Sequence, residues 1–116
     1  MGNPTKKDMF DAGLAIRKEV LGSEYVERAF AVKDEFTDDV QDYLTTHAWG
    51  PSWARRDDKG ELTLPKKTRS FLNLAMLCCL NRPHELEIHV RGAINNGVTK
   101  EEMKEIFLHV AVYAGA

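Results

Sequence analysis

Apolar residues in this chain recur mostly every three to four positions, between clear stop signals. Such spacing puts side chains on one stripe of a helix and leaves no pleated face to build a sheet, so the sequence predicts an all-α fold. The punctuation agrees. Thr5, after Asn3-Pro4 and three before Asp8, opens a first helix that Gly22 stops. Phe10, Leu14, Arg17 and Leu21 share one face of it, with Met9, Gly13, Ile16 and Val20 beside them. Ser23 is placed to cap a weaker helical stretch over 24–36. Thr37, followed by Asp38 and Asp39, marks another start, for a helix ending near Gly50. Pro65 begins a helix over 66–80 that turns apolar on all sides after Phe71, as a central buried helix would. Pro83 begins the next, Gly97 closes it, and Thr99-Lys100-Glu101-Glu102 is a capping box for the last. Residues 50–64 remain as the one long irregular stretch. Trp49 and Trp53 flank its start, and either pin the loop to the body or wall a ligand site.

A length of 116 residues predicts a single domain, 1–116. The balance of 43% hydrophobic and 29% charged residues excludes a disordered tail or a collagen-like fibre. A net charge of −2 offers no basic surplus, so no nucleic-acid partner is expected. The apolar run Leu74–Leu80 is too short to cross a bilayer and no apolar signal core opens the chain, so the expectation is no membrane partner and a cytoplasmic location. Cys78 and Cys79 are adjacent, which does not suit a disulfide, and are expected to be buried as small hydrophobes.

The chemistry-bearing segment is His84-Glu85-Leu86-Glu87-Ile88-His89-Val90-Arg91. Leu86, Val90 and Ala93 define an apolar face, and Glu85 and His89 lie one turn apart beside it, with Gly92 and Asn96 continuing that side. A carboxylate one turn from an imidazole is either a surface ion pair or a proton-handling pair. Gly92 lies mid-helix, where it is about 1 kcal/mol worse than Ala, and close approach by a substrate or another backbone would explain it. His84, Glu85 and His89 miss the HExxH spacing by one residue, so no metal site is expected. His109, one turn before Tyr113 on the last helix, reads as a core histidine or a catalytic one, and His47 is similar with less context. Arg69 opens the central helix and Arg82 sits in the break before the His/Glu helix; each is a surface charge or a grip for an anion. Arg91 falls on the far side of its helix.

The runs Lys67–Leu77, Leu80–Ala93 and Asn95–Thr99 closely resemble the carboxymuconolactone decarboxylase family. Gly13–Arg17, Val20–Gly22, His47–Gly50 and Leu108–Gly115 are similar to its 4-carboxymuconolactone decarboxylase branch. The resemblance implies an alkylhydroperoxidase-D-like helical fold of about six helices, assembled as a homo-oligomer, a trimer or hexamer. It implies decarboxylation of a small anionic lactone to 3-oxoadipate enol-lactone, without a cofactor, in the protocatechuate branch of the β-ketoadipate pathway. On this footing the catalytic residues are His89 backed by Glu85, with His84 or His109 in the complementary role. Arg69 or Arg82 would grip the carboxylate and Trp49 would wall the pocket.

A peroxidase branch of the same superfamily carries the pattern E…CxxCxxxH. With its histidine registered on His89, its cysteines fall on Arg82 and Glu85 and its glutamate near Ser70, so no dithiol is left to run redox chemistry. The alternatives that stay open are a peroxidase-like redox protein using Cys78 or Cys79, a decarboxylase of a related lactone, and a non-enzymatic binding module. Members of the resembled family usually continue with one more helix after the Tyr-Ala-Gly turn, which here is Tyr113-Ala114-Gly115. That comparison leads to the expectation of a domain dependent on neighbouring subunits.

Overall fold

Two glycines govern how the first half of the chain folds. In the computed structural model, which describes residues 2–32 and 34–116, the chain divides into two compact units, Met1–Leu64 and Pro65–Ala116. The first holds α1 (Lys6–Leu21), α2 (Ser23–Ala31), α3 (Asp38–Tyr43) and a π-helical segment, Leu44–Trp53. A Cβ on Gly13 would overlap the Thr45 carbonyl oxygen and lie 2.9 Å from the Gly50 nitrogen. A Cβ on Gly50 would lie 2.7 Å from the Met9 carbonyl oxygen. Only hydrogens at both positions let α1 and the π-helical segment touch backbone to backbone. Around that contact Ile16, Val20, Trp49 and Trp53 form the core, with the two indoles stacked at 5.1 Å.

α1 begins as its sequence predicts. Thr5 Oγ1 accepts from the Asp8 N–H, and the Asp8 carboxylate accepts from the Thr5 N–H. Gly22 ends the helix at φ +92°. Arg17 is only 6% exposed. Its Nη1 donates to Gln41 Oε1 at 3.1 Å and Thr45 Oγ1 at 3.2 Å, and its guanidinium lies 5.7 Å from the centre of the Phe30 ring. The buried side chain thereby ties α1 to α2, α3 and the π-helical segment, and its burial pushes the guanidinium pKa down.

Two local expectations change. The stretch expected to be irregular from residue 50 stays helical to Trp53, through Pro51, because the turns widen and the Trp49 carbonyl accepts from the Ala54 N–H. Beyond it the Asp57 carboxylate accepts from the Lys59 and Glu61 N–H groups, and a lone bridge joins Arg56 to Leu62, the only β pairing among the described residues. The stretch over 24–36 is helical to Ala31, and residue 33 lies outside the described residues. The expected start at Thr37 holds, with Thr37 the N-cap residue of α3 and Asp38 and Asp39 in its first turn; no Thr37 side-chain cap bond forms there, and Asp34 organises the turn, accepting from the Phe36 and Thr37 N–H groups.

The second unit is α4 (Lys66–Cys79), α5 (Pro83–Asn95) and α6 (Lys100–Ala114). Pro83 opens α5, Gly97 follows it at φ +86°, and the Thr99–Glu102 capping box opens α6. Leu74, Ala93, Val98 and Ile106 make the core, flanked by Phe71, Leu86, Val90 and Met103. α4 is not buried on all sides: Ser70 and Leu74 are fully enclosed, whereas Leu72, Met76 and Leu80 are exposed, Leu80 at 64%. Within this unit α5 and α6 cover only two of its flanks. The cysteines follow suit, Cys78 half-buried and Cys79 exposed, so the adjacent thiols are not the buried pair expected. No helix among the described residues is long and apolar enough to cross a membrane.

The Gly13 contact yields a direct test. Gly13→Ala forces a methyl group into backbone and is expected to destabilise the chain by about 2 kcal/mol or more in urea unfolding, whereas Ala12→Ser, one residue earlier and exposed, leaves the midpoint within error.

Candidate functional site

α5 carries His89 next to Val90, whose side chain packs on the core of the second unit, so the imidazole is drawn half-buried toward α4. There its Nδ1 lies 3.2 Å from the Asn73 side-chain nitrogen. Burial holds the imidazole below its usual pKa, because the charged ring loses its water; the negative charge of Glu85, one turn earlier, opposes this more weakly. The ring is therefore neutral at neutral pH, with one nitrogen to donate and one to accept.

Asn73 is a residue that the motif reading passed over. A signal was available: it is the only polar side chain from Phe71 to Leu77. Nearby, the Asn96 side-chain nitrogen donates to Ser70 Oγ at 2.9 Å and to the Lys66 carbonyl at 3.4 Å, fastening the end of α5 to the start of α4. Ser70 is fully buried, so its small hydroxyl is enclosed with the Asn96 amide as its partner.

The remaining candidates spread over the molecule. Arg69 is half-buried on α4, one turn before Asn73 and on the same face. Glu85 and His84 are exposed in the first turn of α5, and Arg82 is the exposed N-cap residue before it. His109 is exposed on α6, its ring 4.8 Å from that of Tyr113. It lines a groove of 440 Å³ between α4 and α6 with Phe71, Ala75, Met76 and Glu105, and no α5 residue borders that groove. The second unit thus brings His89 and Asn73 together and sets His109 on a different side. Trp49 belongs to the first unit, where it is 8% exposed and stacked on Trp53. Among the described residues no three His, Cys, Asp or Glu side chains are grouped to hold a metal ion.

Chemically, a neutral, half-buried imidazole polarises a carbonyl or another developing oxyanion, and a guanidinium one turn from its partner on α4 attracts a carboxylate.

Comparison with known proteins bounds the reaction. Residues 38–116 match the carboxymuconolactone decarboxylase family. A 4-carboxymuconolactone decarboxylase of Acinetobacter baylyi is 42% identical over 106 residues, which is 91% of this chain and 75% of that protein. A nitrosuccinic acid decarboxylase of Metarhizium robertsii is 46% identical over 107 residues, 92% of this chain and 71% of that protein. A 4-carboxymuconolactone decarboxylase of Pseudomonas putida is 36% identical over 45 residues, 39% of this chain.

The burial of His89 has a measurable sign. Its folded pKa lies below the ordinary value of 6.5, so between the two values the unfolded chain binds more protons and stability rises with pH. Stability is expected to fall as pH drops through about 6.5, and His89→Gln removes that component. An NMR titration of the ring checks the depressed value directly.

Proposed function

Because the chain belongs to the carboxymuconolactone decarboxylase family, we propose that it converts 4-carboxymuconolactone to 3-oxoadipate enol-lactone and CO₂, in the protocatechuate branch of the β-ketoadipate pathway. The half-buried, neutral His89 carries this reading, because it is the kind of group the reaction needs.

In this substrate the leaving carboxylate sits on a ring carbon joined through a C=C bond to the lactone carbonyl. Cleavage of the C–C bond releases CO₂ and sends its electron pair into the ring. The double bond shifts, and the charge collects on the carbonyl oxygen as a dienolate. A proton then adds to the ring carbon next to the carbonyl, giving the enol-lactone. The substrate carries its own electron sink, so the proposed reaction draws on no cofactor. What the protein supplies is a hydrogen bond to the developing oxyanion, a cation for the carboxylate that stays, and a proton.

In this scheme His89 donates the hydrogen bond, and its lowered pKa supports a neutral donor. Arg69, on the Asn73 face of α4, grips the retained carboxylate, with Arg82 as the second candidate. The returning proton comes from His84, while Glu85 backs His89, both from the exposed first turn of α5. His109, beside the α4–α6 groove, stands outside this set. A homo-oligomer, trimer or hexamer, would cover apolar side chains such as Leu72, Met76 and Leu80.

The relative from Metarhizium robertsii favours a second substrate. Nitrosuccinate also loses a carboxylate from a carbon whose electron pair has a sink, the nitro group, and also keeps a second carboxylate. Both compounds are therefore assayed. Turnover of 4-carboxymuconolactone is expected, with kcat lower by about 100-fold in His89→Ala, by about tenfold in Glu85→Gln, and with KM raised in Arg69→Met. Near-normal turnover in both His89→Ala and Glu85→Gln would sink the assignment, and turnover of nitrosuccinate alone would move the substrate.

A further inference from the structure

We infer that Asn73 is a positioning residue whose side-chain amide holds His89 in the tautomer with its proton on Nε2, so that Nε2 is the nitrogen that donates to the reacting oxygen. The last clause rests on the decarboxylase reading; the tautomer itself does not. The amide nitrogen of Asn73 is a donor only, and it lies 3.2 Å from His89 Nδ1. Nδ1 must then accept. A neutral imidazole has one proton, and it is left on the other nitrogen.

The surroundings hold this arrangement in place. Asn73 is half-buried on α4, where its side chain faces His89 of α5. An amide drawn from water into such a place is stable when bonded, and the imidazole supplies the bond. The charge that acts on the ring comes from its own helix, from Glu85, while α4 presents the uncharged Asn73. Asn73 is neutral and so does not favour the imidazolium, and neither does the Arg69 guanidinium one turn earlier on the same face of α4.

The identity of the residue matters more than its size. An aspartate at 73 would accept from Nδ1–H instead. The lone pair would then sit on Nε2 and the ring would become a base stabilised in its charged form. With Asn73 the same histidine is an electrophile. The choice of amide over carboxylate on α4 thus decides whether the site donates to a developing oxyanion or pulls a proton from its substrate.

The test reads the tautomer and the kinetics separately. In ligand-free, ¹⁵N-labelled protein, NMR correlations across the imidazole are expected to report Nε2–H for the unmodified chain. Asn73→Asp is expected to show Nδ1–H and a raised His89 pKa. Above the raised pKa its kcat should fall at least about tenfold with KM within about twofold, because the neutral ring then has its proton on Nδ1, and activity should return as pH drops below that pKa, where the imidazolium again has a proton on Nε2. Asn73→Leu, which removes the donor without adding charge, should lower kcat at neutral pH, with recovery only below the ring's own lowered pKa and so at lower pH than in Asn73→Asp. A ring protonated on Nδ1 in the unmodified chain would overturn the proposal, as would Asn73→Asp with an unchanged pH profile. Should Asn73→Asp fail to fold, Asn73→Leu and the unmodified chain still decide it. If the chain turns over neither candidate substrate, the decarboxylase reading fails while the NMR result still judges the tautomer.

Discussion

Drawing an imidazole into the seam between two helices removes the water that would stabilise its charge, and the chemistry proposed for this chain hangs on that removal. His89 is carried there by α5, whose Leu86, Val90 and Ala93 pack against the core around Leu74. The same apolar stripe that holds α5 on α4 therefore sets the protonation state of the histidine beside it. Packing and protonation are one event in this unit. Asn73 completes it by supplying the polar partner that a half-buried ring requires.

A neutral hydrogen-bond donor matches a reaction whose substrate carries its own electron sink. Metal or cofactor chemistry would ask the protein for a ligand cluster or a dedicated binding fold; a vinylogous carboxylate asks for a donor, a cation and a proton. The two relatives that cover most of the chain act on compounds with different sinks, a lactone and a nitro acid. A site that recognises a developing oxyanion and a retained carboxylate can serve either, and discrimination then falls to the shape of the pocket.

Much of the architecture was legible because helix boundaries are written in local chemistry. Thr5 with Asp8, Gly22, Pro83, Gly97 and Thr99 with Glu102 act within a few residues of themselves, and the structure keeps all of them. The misreadings came where distant contacts decide. The π-helical segment depends on Gly50 meeting Met9, forty-one positions away, and no local signal announces it. The expectation of an all-round buried α4 failed because apolar composition reports what a surface could bury, not how many neighbours one unit provides. At the site, the Glu85/His89 spacing was visible, but the asparagine that faces the ring lies sixteen residues away on another helix. Arg17 was legible as a residue of the first helix and not as its most enclosed charge, for the same reason.

The measurement that bears most directly on this account is decarboxylation of 4-carboxymuconolactone in D₂O by chelator-treated protein, with CO₂ and product followed together. The account predicts one CO₂ for each enol-lactone formed, undiminished turnover without added metal, and a single deuterium on the ring carbon beside the carbonyl. Turnover that requires an added metal or cofactor, or product with no deuterium at that carbon, would contradict it.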